Sequence, residues 1–144
     1  MKMVRTLMGI IPFVAVAAGC SGMTETTPGG FGQSVSVAGF GAFTDIHPEE
    51  LQVLMFSEDL FVVNVHVPFE GDIPETDASV PFDQIAQYLD VFPEDKDSVI
   101  VVYCRSGSMS AIAAQTLVEA GYTNVYNLDG GYRAWLAAGY ELVR

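Results

Sequence analysis

The segment SVIVVYCRSGSMSAIAAQTLVEAG, residues 98–121, leaves few choices to the fold. Val99 to Tyr103 is an unbroken apolar, β-branched run. Such a run fits a strand buried on both faces, which is the habit of parallel sheets with helices above and below. Cys104 to Gly107 interrupts it with short and polar residues. Beyond the interruption, apolar side chains recur at Met109, Ile112, Ala113, Leu117 and Ala120, the spacing of one helical face. Gly121 is the natural C-terminal stop for that helix. A strand, a tight loop holding a cysteine, and a helix therefore follow one another in a single stretch.

The flanking sequence repeats the alternation. Asp45 to Leu51 reads as a helix start, with Pro48 early and Glu49 and Glu50 near the positive end, and the helix is predicted to run to about Met55. Leu60 to Val65 is a second buried strand. Residues 68–81 hold Pro68, Gly71, Pro74 and Pro81 and read as a loop. Asp83 to Leu89 is predicted to be a short helix. Asn124 to Leu128 is a third strand, and Asp129-Gly130-Gly131 turns into a last helix from Tyr132 to about Ala138. Strands alternating with helices predict an α/β fold: a small parallel sheet flanked by helices on both faces. Ligands of such sheets bind beyond the carboxyl ends of the strands, which is where Cys104 falls.

The N-terminus is of another kind. Lys2 and Arg5 precede an apolar stretch from Leu7 to Ala18, too short for a spanning helix of about 20 residues and matched to a secretory signal. Ala17-Ala18-Gly19-Cys20 follows. Residues 21–43 are rich in Gly, Ser and Thr, the composition of a flexible tether. The division expected is a signal over 1–19, a tether over 20–41, and one domain over 42–144; a chain of 144 residues suits one such core. After Cys20 there remain four basic side chains (Lys96, Arg105, Arg133, Arg144) against all 18 acidic ones, or 4 − 18 = −14 with His neutral. That balance argues against nucleic acid as a partner.

The loop after Tyr103 suits an anion. The first N–H groups of a helix lack intrahelical partners and converge on such a site. A cysteine held there can have its thiol acidified. Arg105 adds a charge, Ser106, Ser108 and Ser110 add hydroxyls, and Gly107 lets the backbone curl. A buried, inert cysteine before a serine-capped helix is the alternative that strand–Cys–helix spacing alone leaves open. Two histidines and two cysteines, far apart in sequence, make no metal motif.

Residues 104–110, CRSGSMS, closely resemble the active-site loop of single-domain rhodaneses, C-R-S-G-x-R-S. Gly71-Asp72-Ile73-Pro74 resembles that family's G-H-I-P, with Asp72 where His is usual. Val62 to His66 stands in the place of L-I-D-V-R, with Asn64 and His66 for Asp and Arg. Asp129 to Trp135 resembles E-G-G-x-x-A-W. The four motifs occur in order over about residues 42–143. The resemblance implies a sulfurtransferase: Cys104 takes sulfane sulfur from thiosulfate or a persulfide donor, carries it as a persulfide, and passes it to a thiol or to cyanide. It implies that Arg105, Ser106, Gly107, Ser108, Met109 and Ser110 bind the anionic donor, and that neither a metal nor an organic cofactor is needed. Met109 stands where many relatives have Arg and is expected to pack as the first apolar residue of the helix. His66 is a possible acid or base, with a structural loop role as the alternative. Trp135 is expected in the core and Arg133 on the surface.

Residues 17–20 likewise resemble the lipobox of bacterial lipoproteins, with Ala17 where Leu is usual. That implies cleavage before Cys20, a lipid on its sulfur, and anchoring to a membrane on the extracytoplasmic side of the cell envelope. Three other functions compete for the cysteine loop. Dual-specificity phosphatases need an Arg six residues after the Cys, where this chain has Ser110. A redox protein would need a C-x-x-C motif, which is absent. The alternative that stays open is a non-catalytic, persulfide-sensing or binding module.

Overall fold

The structure, a computed structural model, describes residues 31–144; the signal-like segment and Cys20 lie outside them. Six strands form one sheet: β1 (Gln33–Val37), β2 (Gly41–Ile46), β3 (Leu60–Asn64), β4 (Ala78–Ser79), β5 (Val99–Tyr103) and β6 (Asn124–Leu128). Their order is β1-β2-β6-β5-β3-β4, with β1 antiparallel to β2 and the remaining pairs parallel. The helices are α1 (Pro48–Ser57), α2 (Ser108–Glu119) and α3 (Gly131–Ala137). The fold is α/β, as its sequence pattern predicts.

The period of two along the strands divides the core into two layers. Val63, Ile100, Val102 and Val125 pack with Ala113, Ala114 and Leu117 of α2. Val62, Val101, Tyr103 and Leu128 pack on the other face with Leu51 of α1 and Tyr132 and Trp135 of α3. β5 lies between β6 and β3, and its Ile100 to Tyr103 have no exposed surface. This explains its lack of any polar alternation. No helix among the described residues is long and apolar enough to cross a membrane.

Four expectations need correction. Asp45 and Ile46 do not open a helix: they close β2, and α1 starts at Pro48 after the N-cap His47. The tether does not extend to residue 41, because Gln33–Val37 is a strand paired to β2 through Val37 opposite Gly41. Its Ser and Gln side chains are those of an exposed edge strand. Asp83 to Leu89 is not an α-helix. Two 3-10 turns, Ile85–Gln87 and Leu89–Val91, take its place. Pro93 holds Phe92 extended, and only Ile85 of the two turns is buried, too little packing to sustain a short α-helix. The loop 68–81 contains β4, whose two residues pair with Val63 and Asn64.

Candidate functional site

Cys104 follows β5 and is buried, with about 1% of its surface exposed. The chain then turns sharply. Gly107 has φ +98°, and a Cβ there would lie 3.1 Å from the backbone nitrogen of Gly130, so the turn needs a glycine. The turn aims the loop's amides back at the sulfur. Gly107 N–H donates to Sγ over 3.1 Å, and the Ser110 hydroxyl donates to it over 3.4 Å. Burial pushes the thiol's pKa up. The Ser110 hydroxyl and the N–H groups of Ser110, Ser106 and Gly107 outweigh burial and bring it below the ordinary thiol value.

The acidifying groups are not all those the sequence pointed to. Arg105 contributes less than its position suggests, because its Nη1 lies 3.7 Å from Glu70 Oε1. The hydroxyls of Ser106 and Ser108 lie 3.4 Å from each other rather than on the sulfur. Met109 is half-buried against the α2 side of the core. Ser110 is fully buried, and its hydroxyl also reaches the Gly107 carbonyl over 3.1 Å.

A second layer holds the loop from behind. Tyr132 N–H donates to the Cys104 carbonyl over 2.9 Å, and Arg133 N–H to the Arg105 carbonyl over 3.1 Å. Gly131 stands at that junction, where a Cβ would come within 2.3 Å of the Cys104 carbonyl oxygen. The start of α3 and the cysteine loop are thus built against each other.

Glu70 is the residue that sequence reasoning missed. Tyr132 donates its phenolic hydrogen to Glu70 Oε2, and His66 Nε2 lies 3.3 Å from the same oxygen. The Tyr132 hydrogen bond, assisted by Arg105 and His66 and opposed by partial desolvation, holds the Glu70 carboxyl below its usual range. Burial and Glu70 together push Tyr132 up to about 12. His66 faces the Tyr132 ring edge-on at 5.6 Å. It lies on the same rim as Cys104, but its polar neighbour is Glu70. Glu70 sits in a Pro- and Gly-rich loop without local pattern, so only its acidity opposite Arg105 could have signalled it.

The motif departures also meet. Asn64 is buried and donates from Nδ2 to Asp72 Oδ1 over 2.9 Å and to the Gly71 carbonyl over 3.0 Å. The Tyr103 hydroxyl donates to the same Asp72 oxygen over 3.1 Å. Asn64 Oδ1 accepts from His66 N–H over 3.0 Å. The loop beside the site is therefore tied to the ends of β3 and β5.

The family model of the rhodanese-like domain matches residues 62–138. The chain belongs to the rhodanese-like family. A sulfurtransferase of Allochromatium vinosum is 37% identical over 103 residues, covering 69% of this chain and 94% of the relative. The thiosulfate sulfurtransferase GlpE of Pseudoalteromonas translucida is 33% identical over 105 residues, covering 71% and 97%. The crystal structure of a rhodanese-related protein from Thermoplasma volcanium superposes with a TM-score of 0.59 at 25% identity, covering 69% and 96%. The rhodanese-like match includes most of β3, all of β5, β6, α2 and α3, and the whole Cys104 loop.

Proposed function

We propose that this rhodanese-like protein is a sulfurtransferase that carries sulfane sulfur on Cys104. The observation that carries the reading is the sulfur itself: buried at the end of β5, acidified, and accepting hydrogen bonds from Gly107 N–H and the Ser110 hydroxyl. The thiolate attacks the outer sulfur of thiosulfate or of a persulfide donor. The donor's S–S bond breaks, its electron pair leaves with sulfite or with a thiolate, and Cys104 becomes a persulfide. A thiol or cyanide then attacks the terminal sulfur and returns the Cys104 thiolate. This is covalent catalysis in two halves. The N–H groups of the loop stabilise the anion in each half, as preorganised dipoles do. Arg105 is the cation nearest the entering donor, and a dianion competes with Glu70 for it.

Intact-mass spectrometry of the protein after thiosulfate treatment, and again after cyanide, tests the reading. One added sulfur atom is expected, absent in Cys104→Ser and removed by cyanide. No adduct with either thiosulfate or inorganic polysulfide would refute it and leave the loop as a docking surface. We further infer that Cys20 is lipidated and anchors the domain at the extracytoplasmic face, an inference supported by residues 1–20 alone. Radiolabelled fatty acid should enter the wild type and not Cys20→Ser; equal labelling of both would exclude it.

A further inference from the structure

The chain beyond residue 30 has four basic side chains, Lys96, Arg105, Arg133 and Arg144, among many acidic ones. Lys96 is spent elsewhere, with its ammonium 3.9 Å above the Tyr122 ring. The other three line a single open groove of about 740 Å³ beside the Cys104 loop, together with Phe69, Leu136 and Leu142. Glu70 is the one acidic side chain that lines it, and Glu70 is already engaged by Arg105 and Tyr132. Among the described residues neither Arg133 nor Arg144 forms an ion pair. The backbone is held at Arg133 and at the residue before Arg144. Arg133 N–H donates to the Arg105 carbonyl. Val143, next to Arg144, exchanges two hydrogen bonds of 2.8 Å with Asp72. Three arginines gathered in one place, in a chain of net charge −12, make a local field opposite to that of the whole.

We propose that this groove seats the sulfur acceptor, and that the acceptor is a small organic thiol carrying more than one carboxylate. The proposal rests on the sulfurtransferase reading above. The groove is the size of a site for an organic ligand, roughly 300–1,000 Å³, and far larger than thiosulfate needs. Its exposed Phe69 and Leu136 suit a carbon skeleton. Arg133 and Arg144 suit carboxylates, which guanidinium groups bind in a fork. The acceptor thiolate attacks the terminal sulfur of the Cys104 persulfide. The new S–S bond forms on the acceptor, the bond to Cys104 breaks, and the electron pair stays on Sγ. The transfer is redox-neutral and needs no third reactant.

The test is discharge of the persulfide, loaded with inorganic polysulfide, by mercaptosuccinate, 2-mercaptoethanol and cysteamine in turn. The readout is the ratio of kcat/KM between the dicarboxylate and the neutral thiol, which a general loss of fold does not move. Substituting both Arg133→Ala and Arg144→Ala should lower that ratio about fivefold or more, from the typical worth of two partly exposed ion pairs. Raising the salt should lower it in the wild type. Arg133→Lys with Arg144→Lys should keep most of it, and Arg133→Glu should shift preference toward cysteamine. A persulfide that forms and discharges with the same ratio in wild type and in both double variants would overturn the groove assignment and leave the sulfurtransferase reading standing. Failure to form any persulfide would overturn both.

Discussion

Ser110→Ala should raise the pKa of the Cys104 thiol and invert its reactivity relative to wild type between low and high pH. The Ser110 hydroxyl has one hydrogen and two acceptors in reach, Sγ at 3.4 Å and the Gly107 carbonyl at 3.1 Å. A hydrogen bond to a charged acceptor contributes about 1.5–3 kcal/mol, and sharing places this one at the low end. At about 1.4 kcal/mol, the thiolate-to-thiol ratio at fixed pH falls about tenfold. The variant should fold normally, because the Gly107 carbonyl keeps the Ala111 N–H as a donor at 3.0 Å. A more basic thiolate is a better nucleophile, by about threefold for this change at a Brønsted slope of roughly 0.4–0.5. Alkylation of Cys104 by iodoacetamide should therefore be about threefold slower than wild type at pH below both midpoints, and about threefold faster above both. The assay is the second-order rate constant across pH, with thiolate absorbance as a parallel titration. Coincident midpoints and equal rates throughout would mean that the hydroxyl serves only the Gly107 carbonyl, and that Ser110 has no part in acidifying the thiol.

Other substitutions probe the supports of the loop. Gly131→Ala forces a Cβ toward the Cys104 carbonyl at φ +59° and should cost about 2 kcal/mol or more in urea unfolding; Gly139→Ala, with φ +93° and nothing within 4 Å, should cost clearly less, and equal costs would remove the argument from contact. Asn64→Asp places a buried carboxylate against the half-buried Asp72 and should cost about 3 kcal/mol or more; adding Asp72→His should recover over half of it, and a strictly additive double mutant would show that the two positions do not depend on each other. The lowered Cys104 pKa links folding to pH: the thiolate's contribution is fully present above about 9 and is lost as pH falls through the folded value. Wild type should accordingly gain stability over Cys104→Ser as pH rises through that window, and a constant difference between the two would count against an acidified thiol.

What the sequence disclosed depended on how local each cause was. Val99 to Tyr103 showed as a strand because burial on both faces removes every polar residue from it. α2 showed through its apolar repeat and Gly121, whose φ of +99° ends the helix. β1 stayed hidden because Gln33-Ser34-Val35-Ser36-Val37 is half polar, as an edge strand should be, and lies in a Gly- and Ser-rich context. β4 is two residues long and is recognisable only by its partner β3. The site divides in the same way. Cys104, Gly107 and Ser110 sit within one turn of chain, so their convergence follows from the loop. Glu70, Tyr132 and Arg105 meet only because β3 and β5 end, and α3 begins, at one rim. Gly131 was visible in a motif, but its necessity lies in the Cys104 carbonyl, distant in sequence and in contact in space.

The same division explains how an acidic chain can acidify a buried thiol. A net charge of −12 opposes any further negative charge, and burial of Cys104 opposes it again. A nearby arginine would be one remedy, but Arg105 is half-exposed and turned to Glu70, where salt and water weaken its reach. The remedy used is short-ranged: a hydroxyl and several N–H groups that lie at hydrogen-bond distance and need no reorganisation. Such dipoles are effective because the sulfur is buried, since low polarity around a hydrogen bond strengthens it. They also need tight placement, which is why a glycine at 107, a glycine at 131 and two backbone hydrogen bonds from α3 fix the loop. Acidification of Cys104 by the Ser110 hydroxyl and backbone N–H groups leaves the arginines free of that task, which is what the proposed role of Arg133 and Arg144 in binding an anionic acceptor requires.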